Sequence, residues 1–254
     1  AVIHEQHLFT PVIESVLAMS SEVRPAMFFL ANGILSAISD NVFVATVYIS
    51  EIDAALKAGE IDRAEFDRLA TERLSELDCP WFWIPGNHDD VALMGAERDI
   101  LPEVEAGHWR LLQLDTQLVG EATGQLGEEA LAALGSRLAE DDRPTLIAMH
   151  HPPLSVGSAW IDALGLVDAD GFWEVLDGYP QVKMVLCGHV HQAFHGGMSL
   201  AHGRVDVYAC PSTSDQFLPG SEDFAVDEAS RPGYRVVELK REGEWQTWVE
   251  RVDI

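Results

Sequence analysis

Val185-Leu186-Cys187-Gly188-His189-Val190-His191 is an apolar run that ends in glycine and then sets two histidines two residues apart. If the chain stays extended there, residues i and i+2 project to one face and both imidazoles aim at one point. Gly188 lets the backbone turn tightly and approach whatever is bound. Two imidazoles at the end of a buried strand suit a transition metal such as zinc, iron or manganese. Taken alone, the pattern fits a pair of ordinary loop histidines equally well.

Two further clusters shift that balance. Trp81 to Asp90, W-F-W-I-P-G-N-H-D-D, reads as a short aromatic strand broken by Pro85 and Gly86, so that Asn87, His88 and Asp89 are presented at its end. The Asn87 carboxamide oxygen is a neutral hard ligand, and His88 can donate to a phosphate oxygen or protonate a leaving group. Asp89 is better suited to orienting its neighbours through hydrogen bonds. Thr145 to Pro153, T-L-I-A-M-H-H-P-P, is a third buried strand that ends in His150 and His151 and stops at two prolines. His151 reads as a supporting or rim residue at least as readily as a ligand. Ligands of α/β proteins gather at the carboxyl ends of strands.

In that order, G-N-H-D, H-H-P-P and G-H-V-H resemble the calcineurin-type metallophosphoesterases, and within them the class III bacterial 3',5'-cyclic AMP phosphodiesterases. Leu114-Asp115-Thr116, Trp160 with Gly165-Leu166, Pro211-Ser212-Thr213, the run Gln216 to Phe224 and Pro232-Gly233-Tyr234-Arg235 carry the narrower likeness. The resemblance covers about residues 79–254. It implies an α/β fold, a layered αββα sandwich, and a divalent metal pair of the iron, manganese or zinc kind. It also implies that Asn87, His150 and His189 hold the second metal, His191 the first, and that His88 contacts the phosphate and assists the leaving group. Two metals about 3.5–4 Å apart would activate water and neutralise phosphoryl charge during in-line displacement. A cyclic nucleotide would thereby open to the nucleoside monophosphate.

The first residues depart from this pattern. The family's D-x-H and G-D motifs are missing. Phe28 to Gly33 resembles the strand before G-D, but Ile34 follows, and isoleucine cannot ligate a metal. Glu5, His7 and Asp40 are the residues that could stand in. Phe29 to Ile52, with Ala54 to Gly59, instead resembles the B-type bacterial sodium/proton antiporters. The chain therefore divides into an antiporter-like segment, 1–66, that replaces the N-terminal strands, and a metallophosphoesterase domain, 67–254, that lacks its first two motifs. Three neutral ligands without a carboxylate bind a divalent ion weakly, so one metal or fewer is expected to be tightly held. An impaired enzyme and an inactive body that at most binds metal or nucleotide both remain open. Ile34 and the absent D-x-H separate them.

Composition sets the surroundings. The 254 residues are 47% apolar and carry a net charge of -26. Such a charge repels nucleic acid, and the expected partner is a small cyclic nucleotide, with a homodimer left open. Cys79, Cys187 and Cys210 lack any paired spacing and read as reduced thiols. With no signal-peptide pattern, the expected setting is cytoplasmic. The interrupted apolar runs 26–38 and 42–49 fall short of the roughly 20 residues a membrane span needs. Helices are predicted over 62–77, 91–99, 127–140 and 168–176, and strands over 109–114, 181–186, 205–209, 234–239 and 245–251.

Overall fold

The computed structural model describes residue 52 and residues 55–76 and 79–252. The expectations placed on residues 1–51, including Glu5, His7, Ile34 and Asp40, lie outside the described residues.

Four apolar runs form neighbouring parallel strands: β2 (Trp109–Leu114), β3 (Thr145–Met149), β4 (Val182–Cys187) and β6 (Gly203–Ala209). Two antiparallel edge strands, β1 (Glu103–Ala106) and β5 (His195–Leu200), complete a six-stranded sheet of order β1-β2-β3-β4-β6-β5. The central runs are mainly apolar because both faces of the sheet are covered, with Arg110, Gln113, Lys183, Arg204 and Asp206 as polar exceptions. Leu112, Ile147, Val185 and Val207 point to one face, under α3 (Gly127–Glu140) and α5 (Ala169–Leu176), which contribute Leu134, Leu138, Phe172 and Leu176. The alternate residues Trp109, Leu146, Met184 and Tyr208 point to the other face. There they meet Val237, Leu239 and Trp245 of the antiparallel pair β7 (Gly233–Leu239) and β8 (Trp245–Arg251). Trp109 fastens the two sheets: its indole N–H donates to the Lys240 carbonyl at 2.7 Å, and its ring meets Trp245 edge-on. The described residues thus stack a helix layer, a mixed six-stranded sheet and a two-stranded sheet, in keeping with the expected α/β sandwich.

Two expectations are corrected. Trp81–Ile84 is not a strand. The flank of β2 it would need is taken by β1, from Glu103↔Leu112 to Ala106↔Trp109. The aromatic run is held by side chains instead: Gln113 donates to the Trp83 carbonyl, Trp83 donates to the Arg98 carbonyl, and the Arg98 guanidinium lies over Trp81. The helix α1 (Arg63–Leu74) starts where expected, with Asp62 accepting from the Glu65 N–H at 2.8 Å. Its buried face, however, contains Asp67 and Arg73 beside Leu69 and Ala70, not a plain apolar stripe. Asp67 is neutralised locally by Arg63 at 2.9 Å, and burial still pushes its carboxyl pKa up. The expected join near Phe66 falls inside this helix. β1, β5 and the short α4 (Ala159–Asp162) were not expected. No helix of the described residues is long and apolar enough to cross a membrane.

Ile147 sits at the middle of β3 with no exposed surface. Ile147→Ala should cost about 2–5 kcal/mol, read as a lower urea midpoint at unchanged slope.

Candidate functional site

The site follows from strand register. β2, β3 and β4 run parallel with Leu114, Met149 and Cys187 abreast. The residues just past those ends therefore stand side by side: Thr116, then His150 and His151, then Gly188 and His189. The Gly188 N–H donates to the His150 carbonyl at 3.0 Å and continues the ladder one step beyond the strands.

The extended geometry does not continue further, and the expectation that the H-x-H rings share a face is corrected. His189 has φ 65° and His191 φ 49°, both left-handed. Histidine enters that region more readily than most side chains. The two rings consequently diverge. His189 turns inward to His150 and His151, while His191 lies flat on Phe217, with centroids 4.2 Å apart and planes 7° apart. The His191 Nδ1–H donates to the Asp215 carbonyl at 2.8 Å.

Inside, three donor atoms converge. His150 Nε2 is 2.9 Å from Asn87 Oδ1 and 3.2 Å from His189 Nδ1. Ring nitrogens of His150, His151 and His189 all lie within 4.8 Å of one another, the one such group among the described residues. His151 is fully buried and therefore not a rim residue. Its Nδ1 is 2.8 Å from Thr116 Oγ1, and its Nε2, like that of His189, is buried without a hydrogen bond. Burial is the main reason all three imidazoles stay neutral. It lowers His150 to about 2, His189 to about 3 and His151 to about 4, with the neighbouring rings adding to the first two. Neutral imidazole is the form that ligates metal. Three neutral donors at this spacing fit one divalent transition ion. The carboxylate lining the cavity among the described residues, Asp215, sits against Lys57 at 3.0 Å.

Close packing keeps the rings in place. A β-carbon on Gly86 would lie 2.7 Å from His150 Cε1, and one on Gly124 would overlap the His151 ring. The loop that carries Asn87 and His88 is pinned from several sides. Gln117 donates to the Gly86 and Asp89 carbonyls at 2.6 and 2.7 Å, and Asp89 accepts from the Gly86 N–H at 2.6 Å and pairs with Arg63. Asp90 caps α2 (Val91–Glu97). Thr116 belongs to the Leu114-Asp115-Thr116 run that carries the family likeness, whereas Gln117 has no signal in sequence beyond its place after a strand. His195 and His202 stand elsewhere, bonded to Asp206 and to the Leu176 carbonyl.

Asn87, His88, His150, His189 and His191 all line one cavity of about 930 Å³. The rest of its lining includes an apolar group, Trp160, Ile161, Leu164, Phe217 and Phe224, and polar residues, among them Lys57, Arg63 and Asp215.

Comparison with known proteins adds the following. The calcineurin-like phosphoesterase family matches residues 47–193, and the bacterial Na+/H+ antiporter B family matches residues 1–87. A 3',5'-cyclic adenosine monophosphate phosphodiesterase of Vibrio vulnificus is 40% identical over 216 residues, 80% of this chain and 76% of the relative. Its namesake in Pseudomonas aeruginosa is 34% identical, across 80% of this chain and 75% of its own length. That of Escherichia coli K12 is 33% identical, across 80% and 75%. Among solved structures, a dimetal phosphatase from Danio rerio matches with a TM-score of 0.50 at 15% identity, covering 82% of this chain and 87% of its own; this likeness bears on the fold alone.

Gly124→Ala should displace His151 from Thr116, lower thermal stability and weaken zinc or manganese binding measured by titration. A pH dependence follows from the imidazoles. Their folded pKa values lie below the ordinary 6.5, so the unfolded chain binds more protons as pH falls. Stability of the chelator-treated protein should hold above pH 6.5 and decline from there toward pH 4. Urea midpoints at pH 7.5, 6 and 5 measure it, and His151→Gln should flatten the slope.

Proposed function

The chain belongs to the calcineurin-like phosphoesterase family, and from that premise we propose that it is a metal-dependent phosphodiesterase that opens 3',5'-cyclic AMP to the nucleoside monophosphate, at a rate well below its intact relatives. The observation that carries this reading is the convergence of Asn87 Oδ1, His150 Nε2 and His189 Nδ1 at 2.9 and 3.2 Å. The substrate comes from the relatives' names. Residues 67–254 form the proposed catalytic body and 1–66 the antiporter-like segment.

In this reading Asn87, His150 and His189 hold one manganese, iron or zinc ion, and His151 backs them from the buried side through Thr116. A bound divalent ion would supply Lewis-acid charge against the phosphoryl oxygens. His88, on the cavity wall, hands a proton to the ribose oxygen as its bond to phosphorus breaks and a water oxygen bonds to phosphorus. His191, also on the cavity wall, faces the phosphate or a weakly held second ion, its orientation fixed by the Asp215 carbonyl. Phe217 behind it excludes water. The missing D-x-H and bridging carboxylate remove charge stabilisation that each 1.4 kcal/mol converts to tenfold in rate. The thiols of Cys187 and Cys210 are raised by burial, hence inert, which suits a cytoplasmic setting.

Purified protein assayed for metal content and for cyclic AMP turnover in added manganese tests the reading. About one ion per chain is expected, with kcat/KM roughly a hundredfold or more below the Escherichia coli relative. Turnover should vanish in His189→Ala and fall at least tenfold in His88→Ala with metal content retained. Less than stoichiometric metal and no turnover would establish the non-catalytic alternative, which the absent D-x-H favours.

A further inference from the structure

We propose that Trp160, Phe217 and Phe224 form a stacking corner for the substrate's base, so that the cavity selects phosphodiesters bearing an aromatic group over those without one. The inference rests on the phosphodiesterase reading of the same cavity and adds its specificity element.

Three observations carry it. First, the cavity is divided. Its metal-compatible donors, Asn87, His150 and His189, lie together, and the rest of its lining has an apolar side, with Trp160, Phe217 and Phe224, and a polar side, from Lys57 and Arg63 to Ser212 and Asp215. A phosphodiester whose phosphate sits at the histidines can lay a flat apolar substituent along the aromatic side. Second, the three rings meet edge to face, with centroids 5.1, 5.2 and 5.5 Å apart and planes 68–81° apart. Edge-to-face packing keeps the three rings from stacking on one another; one face of Phe217 is taken by His191, and Phe224 keeps 64% of its surface exposed. A large aromatic left open on a cavity wall is poor core material but a good surface for a flat heterocycle, since every base has a π-face.

Third, the corner is held rigid by polar contacts that bury no ligand-facing group. Phe217 and Val226 bridge antiparallel and the Leu218 N–H donates to the Ala225 carbonyl at 2.8 Å, so residues 217 to 226 fold back as a hairpin-like loop. The Ser158 hydroxyl, just before α4, accepts from the Gly220 N–H at 2.8 Å and from the Gln192 side chain at 3.3 Å. That one hydroxyl ties the loop carrying Phe217 and Phe224 to the helix carrying Trp160. The Phe217 N–H also donates to the His191 carbonyl at 3.2 Å, which links the aromatic corner to the histidine end. A wall fixed before the ligand arrives loses little freedom on binding.

Equilibrium titration of the manganese-loaded chain with cyclic AMP, and with the 3',5'-cyclic phosphate of 1-O-methylribose, which lacks the base, tests the corner without requiring turnover. Cyclic AMP should bind about tenfold or more tightly than the baseless analogue. In Phe224→Ala that ratio should fall toward one, and in Phe224→Tyr it should be kept. Phe224 is exposed, so its replacement leaves the core intact, and circular dichroism checks this. If both ligands bind equally, or Phe224→Ala keeps the full preference, the corner is overturned while the phosphodiesterase reading stands. If neither ligand binds the metal-loaded chain, both readings fall together.

Discussion

The rings of His150 and His151 press against backbone that carries no side chain. Gly86 lies beneath the first and Gly124 against the second, at distances that leave no room for a β-carbon. Everything at the centre depends on this closeness. It excludes water, and dehydration keeps the imidazoles neutral at ordinary pH. It also sets three donors within one ion's reach without a charge among them. A roomier cluster would hydrate and protonate; a tighter one would not admit an ion.

Strand register then decides which residues meet. The parallel alignment of Leu114, Met149 and Cys187 makes neighbours of Thr116, His150, His151 and His189, although they lie tens of residues apart in the chain. The two faces of that sheet are sealed differently, by helices on one side and by a tryptophan-fastened strand pair on the other. Both seals lock the strands that hold the site, so packing far from the histidines still governs their spacing.

Much of this was readable beforehand, for physical reasons that differ by element. The strands ending at Leu114, Met149 and Cys187 announced themselves as mainly apolar runs stopped by polar residues, glycine or proline, which is what double-sided burial favours. α3 was legible from its alanine, leucine and glutamate content. β5 was not, since His195-Gly196-Gly197 has neither alternation nor bulk. Trp81–Ile84 misled because aromatic content favours a strand only where a partner edge is open, and β1 had taken it. The H-x-H spacing led to two residues that do line one cavity, but through the wrong geometry. Period-two reasoning presumes an extended chain, and both histidines are left-handed. His151 was undecided because adjacency in sequence cannot say which of two neighbours faces the core.

That left-handed backbone constrains how these positions can change over time. A side chain at 189 or 191 must tolerate a positive φ, which most residues resist and asparagine and aspartate accept. Histidine codons reach tyrosine, glutamine, leucine, proline, arginine, asparagine and aspartate by altering one base, and of these the last two suit the turn best. A lineage drifting away from histidine here therefore meets oxygen donors before it meets inert side chains, and the coordination chemistry would shade from soft to hard without a refolding of the turn.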